Sequence, residues 1–504
     1  MNTEQSGELS NRDAPPCKGR ILFIGASYYN TWYLSRELRS LGWHADMFVY
    51  GGEGSDAYMH GTDYSLKVME GPFPEFDDQF RDCIQELAAE YVRWVREKCP
   101  KKENRAWGAE PPRLLDRIAS RLRRTFGKTS PRAVPSEPLP LLTELQSEKD
   151  PRRLRRLLRA FLRHIQPQPH SQSLPLYEAY DRYDILHFTG VNNLRLFFFL
   201  NPPLFSSMPI GWDVDILRRL GKKILYTNIG CLDGVSQSSF SRWGPEPICA
   251  ICRWRDEPGV CSDERNLTWG ALRNTLAHLQ VNLGGNRVDY NDDPRVHELP
   301  EFYCLDPNVW RPDLEVPVQH RLPPRPGVVR IYHAVGNYDL RTKGNQVNIK
   351  TTHIIVPTVE KLKADGYPVE LVFCTNIPNL DVRYYQVQSD IVVDMLTYGF
   401  FGANIREAMM LGKPAVCFLR PEWLESMRSQ ISQYVRDLPV VSATPQTVYD
   451  VLADLIANPA KRQEIGRRGR EFMLRWHSRE AAGRCFDRIY SDLMRGRKLR
   501  RLAA

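Results

Sequence analysis

Short apolar runs that end in glycine, each followed by an apolar stripe at helical spacing, organise this chain. Ile21, Leu22, Phe23 and Ile24 run into Gly25 and a small polar turn, Ala26 and Ser27. Leu34, Leu38 and Leu41 then share one face of a predicted helix that closes at Gly42, and residues 45–49 follow as a second strand. Strand, turn, helix and strand within about thirty residues predict the opening of a parallel α/β sheet. The rhythm resumes at residues 184–190, a strand running into Gly190, with further strands predicted over 222–227 and 279–283. A cluster of prolines (Pro317, Pro323, Pro324, Pro326) then breaks all periodicity and predicts a domain boundary. Beyond it a second α/β set is predicted: strands over 328–333, 369–374, 391–393 and 415–419, helices over 352–364 and near 405–411, and helices to the end. Two such halves place a ligand outside the carboxyl ends of the strands, in the cleft between them.

Residues 73–175 differ in character. They read as helices broken by Pro-rich loops, with an amphipathic helix over 80–99 and a Pro-rich joint at 130–140. Leu114, Leu115, Ile118, Leu122 and Phe126 recur at helical spacing, as do Leu154, Leu157, Leu158, Phe161, Leu162 and Ile165. Arginines 152, 153, 155, 156, 159 and 163 lie among the last set. Residues 101–165 hold 17 Lys and Arg against 7 Asp and Glu, an excess larger than the net charge of +9 for the whole chain. The remainder is close to neutral and the basic segment lacks interleaved aromatics, so no nucleic-acid partner is expected. Two readings suit the basic helices 113–124 and 152–163: packing on the core with solvated arginines, or contact with an anionic membrane surface or acceptor.

At 504 residues the chain calls for two or three domains, and 42% hydrophobic with 26% charged residues is a globular composition. No stretch approaches eighteen consecutive apolar residues, and the polar segment 1–19, read as a disordered tail, has no apolar core of a secretory signal. Eleven scattered cysteines do not make a disulfide scaffold, which points to a reducing, cytoplasmic compartment.

The stretch Tyr398-Gly-Phe-Phe-Gly-Ala-Asn-Ile-Arg-Glu-Ala-Met-Met-Leu-Gly-Lys-Pro-Ala-Val416 carries the most chemistry. Gly399 and Gly402 let backbone approach a ligand just before a helix begins, and amides at a helix start hold phosphate. Glu407, further along, is placed to accept hydrogen bonds from a ribose diol, and residues 412–414 end the helix. The same glycines also suit a tight turn with no ligand. Cys249 and Cys252 form a C-x2-C pair, with Cys231 and Cys261 nearby; four thiolates within 31 residues are candidates for a structural zinc site with all-sulfur ligation, or for a redox pair. Asp394 ends the predicted strand 391–393, where a carboxylate caps the strand or faces the cleft. His187 and His333 each sit within or at the end of an apolar strand, a position more often structural than catalytic.

The same stretch resembles the nucleotide-sugar-binding region of family-4-type (group 1) glycosyltransferases of GT-B fold, with its Glu-Gly-Phe-Gly, Glu-Ala-Met and Gly-Lys-Pro elements. Residues 305–312 (Leu-Asp-Pro-Asn-Val-Trp-Arg-Pro) are similar to the segment closing that family's N-terminal domain, 184–187 to its Asp-Val-Val-His strand, and 348–352 (Asn-Ile-Lys-Thr-Thr) to its Lys-Gly-Thr element. The resemblance is nearly continuous from about 306 to 476 and patchy before. It implies a GT-B fold: an N-terminal acceptor domain over 20–312 with the helical insertion at about 73–175, a donor domain over 313–471, and a C-terminal helix within 472–504 packing back on the first domain. It implies transfer of a sugar from a nucleotide-sugar donor to a glycan, lipid-linked or small-molecule acceptor, with retention of configuration and no catalytic cofactor, in cell-envelope or polysaccharide synthesis. Glu407 would hold the ribose and Lys350, with Lys343 as rival, the diphosphate. Gly399, Phe400, Phe401, Gly402, Ala403 and Asn404 would present the donor-binding backbone. Gly25, Ser27, His187 and Asn228 would line the N-terminal side.

Two departures stand out. The family's first Glu falls on Gly399, and its N-terminal-domain His falls on Ile229, leaving Asn228 or Asp233 to fill that space. A catalytically degenerate nucleotide-sugar-binding or scaffold protein, anchored by the basic helices, is the alternative. An NAD-dependent enzyme using the 21–27 turn is a third reading; that turn lacks G-x-G-x-x-G, and Asp46 only loosely matches the acidic residue such a site needs.

Overall fold

In the computed structural model the described residues are 17–25, 28–49, 60–61, 63–65, 144–145, 148–165, 180–189, 212–228, 230–231, 234–242, 248–257, 261–282 and 287–497. The predicted helices 80–99 and 113–126 lie outside them, as do Ser27, Ile229 and Asp233.

Seven strands form the first sheet: β1 (Arg20–Ile24), β2 (His44–Val49), β3 (Tyr64–Ser65), β4 (Ile185–Thr189), β5 (Lys223–Thr227), β6 (Leu279–Asn282) and β7 (Val296–Glu298). Their order is β3-β2-β1-β4-β5-β6-β7 and every pairing is parallel. A parallel sheet is covered on both faces, which is why the central strands read as unbroken apolar runs and not as alternation. The first helix, α1 (Asn30–Ser40), buries Tyr33, Leu34 and Leu38. Its end is fixed by Gly42 at φ +92°, with Trp43 N bonding back to Leu38 O and Gly42 N to Arg39 O, the paired bonds of a Schellman stop. The basic helix α2 (Pro151–Ile165) turns Leu154, Leu158 and Phe161 into the protein. Arg155 pairs with Asp181 at 3.1 Å and Arg153 with Glu144 and Glu148. Arg152 and Arg156 on the opposite side of this helix are exposed. No helix among the described residues is long and apolar enough to cross a membrane.

Five parallel strands form the second sheet: β8 (Val329–Val335), β9 (Val369–Thr375), β10 (Ile391–Val393), β11 (Ala415–Cys417) and β12 (Val441–Ser442), in the order β12-β11-β10-β8-β9. Both sheets are doubly wound, and the chain is the pair of Rossmann-like domains expected from its sequence. The strand order reverses between β8 and β10 in the second sheet, which makes the carboxyl ends of those two strands its binding crevice. Helices α3 (Trp212–Arg219) and α4 (Asp263–Leu276) belong to the first domain. The second contributes α5 (Thr352–Ala364), α6 (Asn379–Val387), α7 (Ala403–Met410), α8 (Pro421–Gln430), α9 (Val448–Ala457) and α10 (Pro459–Trp476).

The chain returns to the first domain through α11 (Arg479–Met494). Leu305 N bonds to His477 O and Arg479 N to Leu305 O at the crossing, and Gly483, lacking a side chain, lets α11 lie against Glu37 and Leu41 of α1 and its end. Asp487 accepts from Lys18 Nζ and Trp43 Nε1, both at 2.7 Å. Under this helix Glu301 is buried with its Oε2 unpartnered, and burial pushes its carboxyl up to about 7. An acid whose folded pKa is raised stabilises the fold while protonated and loses that contribution as pH climbs from its unfolded value to above about 7. Glu301→Gln is therefore expected to unfold like wild type near pH 3.5 and to be more stable by up to about 3 kcal/mol at pH 8.5. Paired urea denaturations at the two pH values check this; a gap that does not widen with pH removes Glu301 as the cause.

Candidate active site

At the switch point of the second sheet, three elements converge. The chain leaves β10 at Asp394, α5 begins just after Lys350, and α7 begins just after Gly402. Lys350 Nζ donates to Asp394 Oδ2 at 2.7 Å, and the carboxylate, fully buried, also accepts Met395 N at 3.1 Å on Oδ1. The α7 start is tied to the sheet by Asn404 Nδ2, which donates to Ala334 O at the end of β8 (3.2 Å). Gly402 itself has an ordinary φ of −93°. Its glycine is required by space: a Cβ there would lie 2.9 Å from Met395 Cε and 3.5 Å from Lys350 Nζ. Backbone strain gathers around the same point, with Thr351 at φ +60°, Met395 at φ +33° and, across the cleft, Tyr28 at φ +52°.

The cleft over this point has a volume of about 370 Å³, within the range of small-molecule sites. Lys350, Phe400, Phe401, Gly402, Ala403 and Asn404 line it from the second domain, and Asn228 and Tyr28 from the first. Other expected residues are elsewhere. Gly399 lies behind the wall at φ +100°, and the stem of Arg420 fills the space its Cβ would need, at 3.0 Å. A glutamate, which the resemblance places there, meets both the left-handed backbone and that stem. Lys343 is in a separate turn, its N bonded to Val347 O, and does not line the cleft. Gly25 ends β1, its N bonded to Phe48 O, and is also outside the lining.

Both strand histidines are structural. His187 is enclosed between Tyr490 OH at Nδ1 and Thr227 Oγ1 at Nε2, each 2.7 Å away, and burial lowers its pKa to about 3. His333 donates Nδ1–H to Val393 O and accepts from Thr352 Oγ1, with burial lowering its pKa to about 4. Asn228 faces the cleft with a committed amide: its Oδ1 accepts from the fully buried Arg273 and its Nδ2 donates to Asn291 Oδ1. Cys231, Cys249, Cys252 and Cys261 are half-buried thiols along the cleft, none of them in a disulfide. Burial and the neighbouring thiols push Cys249 up to about 11. Among the described residues no three His, Cys, Asp or Glu side chains are grouped to hold a metal ion.

Glu407 has a different setting from the one expected. Its carboxylate is 0% exposed and accepts three neutral donors: Tyr29 OH (3.0 Å) and Asn379 Nδ2 (2.8 Å) on Oε1, Gln386 Nε2 (2.9 Å) on Oε2. The network continues across the domain boundary. Asn379 Oδ1 accepts His60 Nε2–H at 2.7 Å, which leaves His60 Nδ1 as acceptor for Tyr33 OH at 2.7 Å. Burial keeps that imidazole neutral, with a pKa of about 4, and His60 stacks on Trp310. In this conformation Glu407 ties the two domains together at the edge of the cleft it lines. Asn379 and Gln386, two turns apart on α6, are a polar pair on one buried helix face; that spacing was the available sequence signal for them. Nothing in the sequence marks His60.

Arg341, Arg253, Tyr303 and Arg406 also line the cleft, and none was singled out from the sequence. Arg253 Nη1 donates to Asp339 O (3.0 Å) and Leu340 O (2.9 Å), a second tie between domains. Arg406 carried a signal, being a cation between Ile405 and the buried Ala408-Met409 face of α7.

No protein-family model matches the chain, and no curated protein sequence matches it. Among solved structures it is similar to a sucrose-phosphate synthase from Thermosynechococcus elongatus (13% identity, 95% of this chain and 100% of that one, TM-score 0.46). It is also similar to HepE of Anabaena in complex with UDP and glucose (10% identity, 94% and 99% covered, TM-score 0.44). A UDP-N-acetylglucosamine 2-epimerase matches with 10% identity over 97% and 99% of the two chains, TM-score 0.41. What the chain itself presents is a two-domain cleft with a helix start, a lysine and a side-chain-free glycine at its floor.

Proposed function

We propose that the chain is a glycosyltransferase that moves a sugar from a nucleotide-sugar donor to an acceptor held mainly by the first domain. One observation carries this: at the switch point, the first amides of α7, Lys350 Nζ and the clearance at Gly402 meet in one place. A diphosphate there gains backbone N–H donors, the positive end of a helix and a cation, which together stabilise the charge that develops as the sugar leaves. Asp394 fixes where that cation stands. Retention of configuration, and a glycan, lipid-linked or small-molecule acceptor, are taken from the family resemblance. A cytoplasmic protein reaching an anionic membrane surface would meet it with exposed arginines of α2 such as Arg152 and Arg156.

A titration of the full chain with UDP, GDP, ADP and dTDP by calorimetry tests the donor site. One diphosphate is expected to bind. Gly402→Ala, whose new methyl presses on the flexible end of Met395 and otherwise makes ordinary contacts with the lysine head and Asp394 Oδ2, is expected to stay folded and to weaken that binding about tenfold. Unchanged affinity in Gly402→Ala would place the diphosphate elsewhere.

The hydrogen bonds that already occupy the Glu407 carboxylate and the side-chain-free position at Gly399 favour a second reading, a nucleotide-sugar-binding protein without turnover. Donor hydrolysis or transfer measured with the nucleotide sugar that binds separates the two: binding without either reaction supports the second.

A further inference from the structure

This inference rests on the reading of the cleft as a nucleotide-sugar site and concerns a second charged contact within it. Arg406 is 5% exposed. From the first turns of α7 its guanidinium reaches back to the helix start, where Nη1 donates to Phe401 O at 3.2 Å. Its guanidinium carbon lies 3.7 Å over the ring of Tyr303, a residue of the first domain, and 5.7 Å from the Phe401 ring. The side chain lines the main cleft on one side and a small adjoining cavity, with Asn282, Trp423 and Met427, on the other.

The small cavity also holds the Glu298 carboxylate, which accepts from Asn282 Nδ2 at 2.8 Å and forms no ion pair with this cation. Among the described residues no carboxylate oxygen comes within 4.0 Å of its nitrogens. The neighbouring Glu407 carboxylate is taken by three neutral donors. On the other flank His477 donates Nδ1–H to Tyr303 O (3.0 Å) and accepts from Tyr434 OH (2.9 Å). Burial, and then Arg406 itself, hold that imidazole neutral, with a pKa of about 3. The positive end of α7 adds charge of the same sign. A guanidinium removed from water with one carbonyl and two ring faces for company is costly to keep, and its planar fork is the group that best matches a carboxylate or phosphate.

We propose that Arg406 and Tyr303 form an oxyanion subsite, apart from the diphosphate cradle at Lys350, that reads a carboxylate or phosphate carried by the ligand. Two sources have this chemistry: an acidic group on the transferred sugar, or a phosphate on the acceptor. Calorimetry on the full chain distinguishes them with matched pairs. UDP-glucuronate against UDP-glucose reads the donor source; glucose 6-phosphate against glucose, with and without UDP, reads the acceptor source.

In one of the two pairs the charged member is expected to bind at least about tenfold more tightly, the effect of one charge-assisted hydrogen bond. Arg406→Met is expected to erase that preference while its ligand-free melting temperature stays at or above that of wild type. Arg406→Lys, which keeps the charge without the fork, is expected to keep part of the preference. Equal binding within both pairs, or a preference that survives Arg406→Met, overturns the subsite. UDP alone is titrated alongside: if it does not bind while glucose 6-phosphate binds in an Arg406-dependent way, the donor reading falls and the subsite stands.

Discussion

Glu407→Ala is expected to cost the fold at least about 3 kcal/mol in urea denaturation. The substitution strands three buried donors at once, Tyr29 OH, Asn379 Nδ2 and Gln386 Nε2, and leaves a cavity where the carboxylate stood. Each hydrogen bond to a buried charged acceptor contributes about 1.5–3 kcal/mol, and each orphaned donor costs its desolvation. Tyr29→Phe removes one donor and leaves the carboxylate two others, so it is expected to cost only about 1–2 kcal/mol. The contrast matters because Tyr29 belongs to the first domain and Glu407 to the second. Burial and the nearby carboxylate both push the Tyr29 phenol well above its ordinary range, so its hydroxyl remains a donor at every pH the protein meets. Nearly equal costs for the two variants would mean that the carboxylate's partners in the second domain, Asn379 and Gln386, contribute nothing, and that the network is a surface contact between domains.

The fold was legible because buried parallel strands write themselves as unbroken apolar runs. Strands β1, β4, β5, β8, β9 and β10 were all predicted within a residue or two of where they lie. Short edge strands were not: β3 and β12 have two residues each and β7 has three, too few to show a period. The helix-start cradle was legible in part, since Gly402 and Lys350 could be placed from the residues beside them. The role of Glu407 was not, because the donors that claim its carboxylate come from positions as far away as 378 residues in sequence. Arg406 was not legible either, because a long side chain lying back along its own helix reaches a wall that the position of its Cα does not indicate.

Lys350→Met is expected to weaken diphosphate binding at least about a hundredfold and, independently, to destabilise the protein by about 3–5 kcal/mol. The two effects have one cause seen from two sides. In the ligand-free protein the ammonium neutralises Asp394, which is fully buried and would otherwise be an uncompensated charge. In the complex the same ammonium faces the diphosphate, and losing a charge-assisted contact to phosphate accounts for the affinity. The double variant Lys350→Met with Asp394→Asn separates them. Asparagine can still accept Met395 N through its side-chain oxygen while carrying no charge, so most of the lost stability should return. The affinity should not, because the amide offers no cation. Recovery of both would show that Lys350 acts only by holding the sheet end in place; recovery of stability alone assigns the lysine to the departing nucleotide.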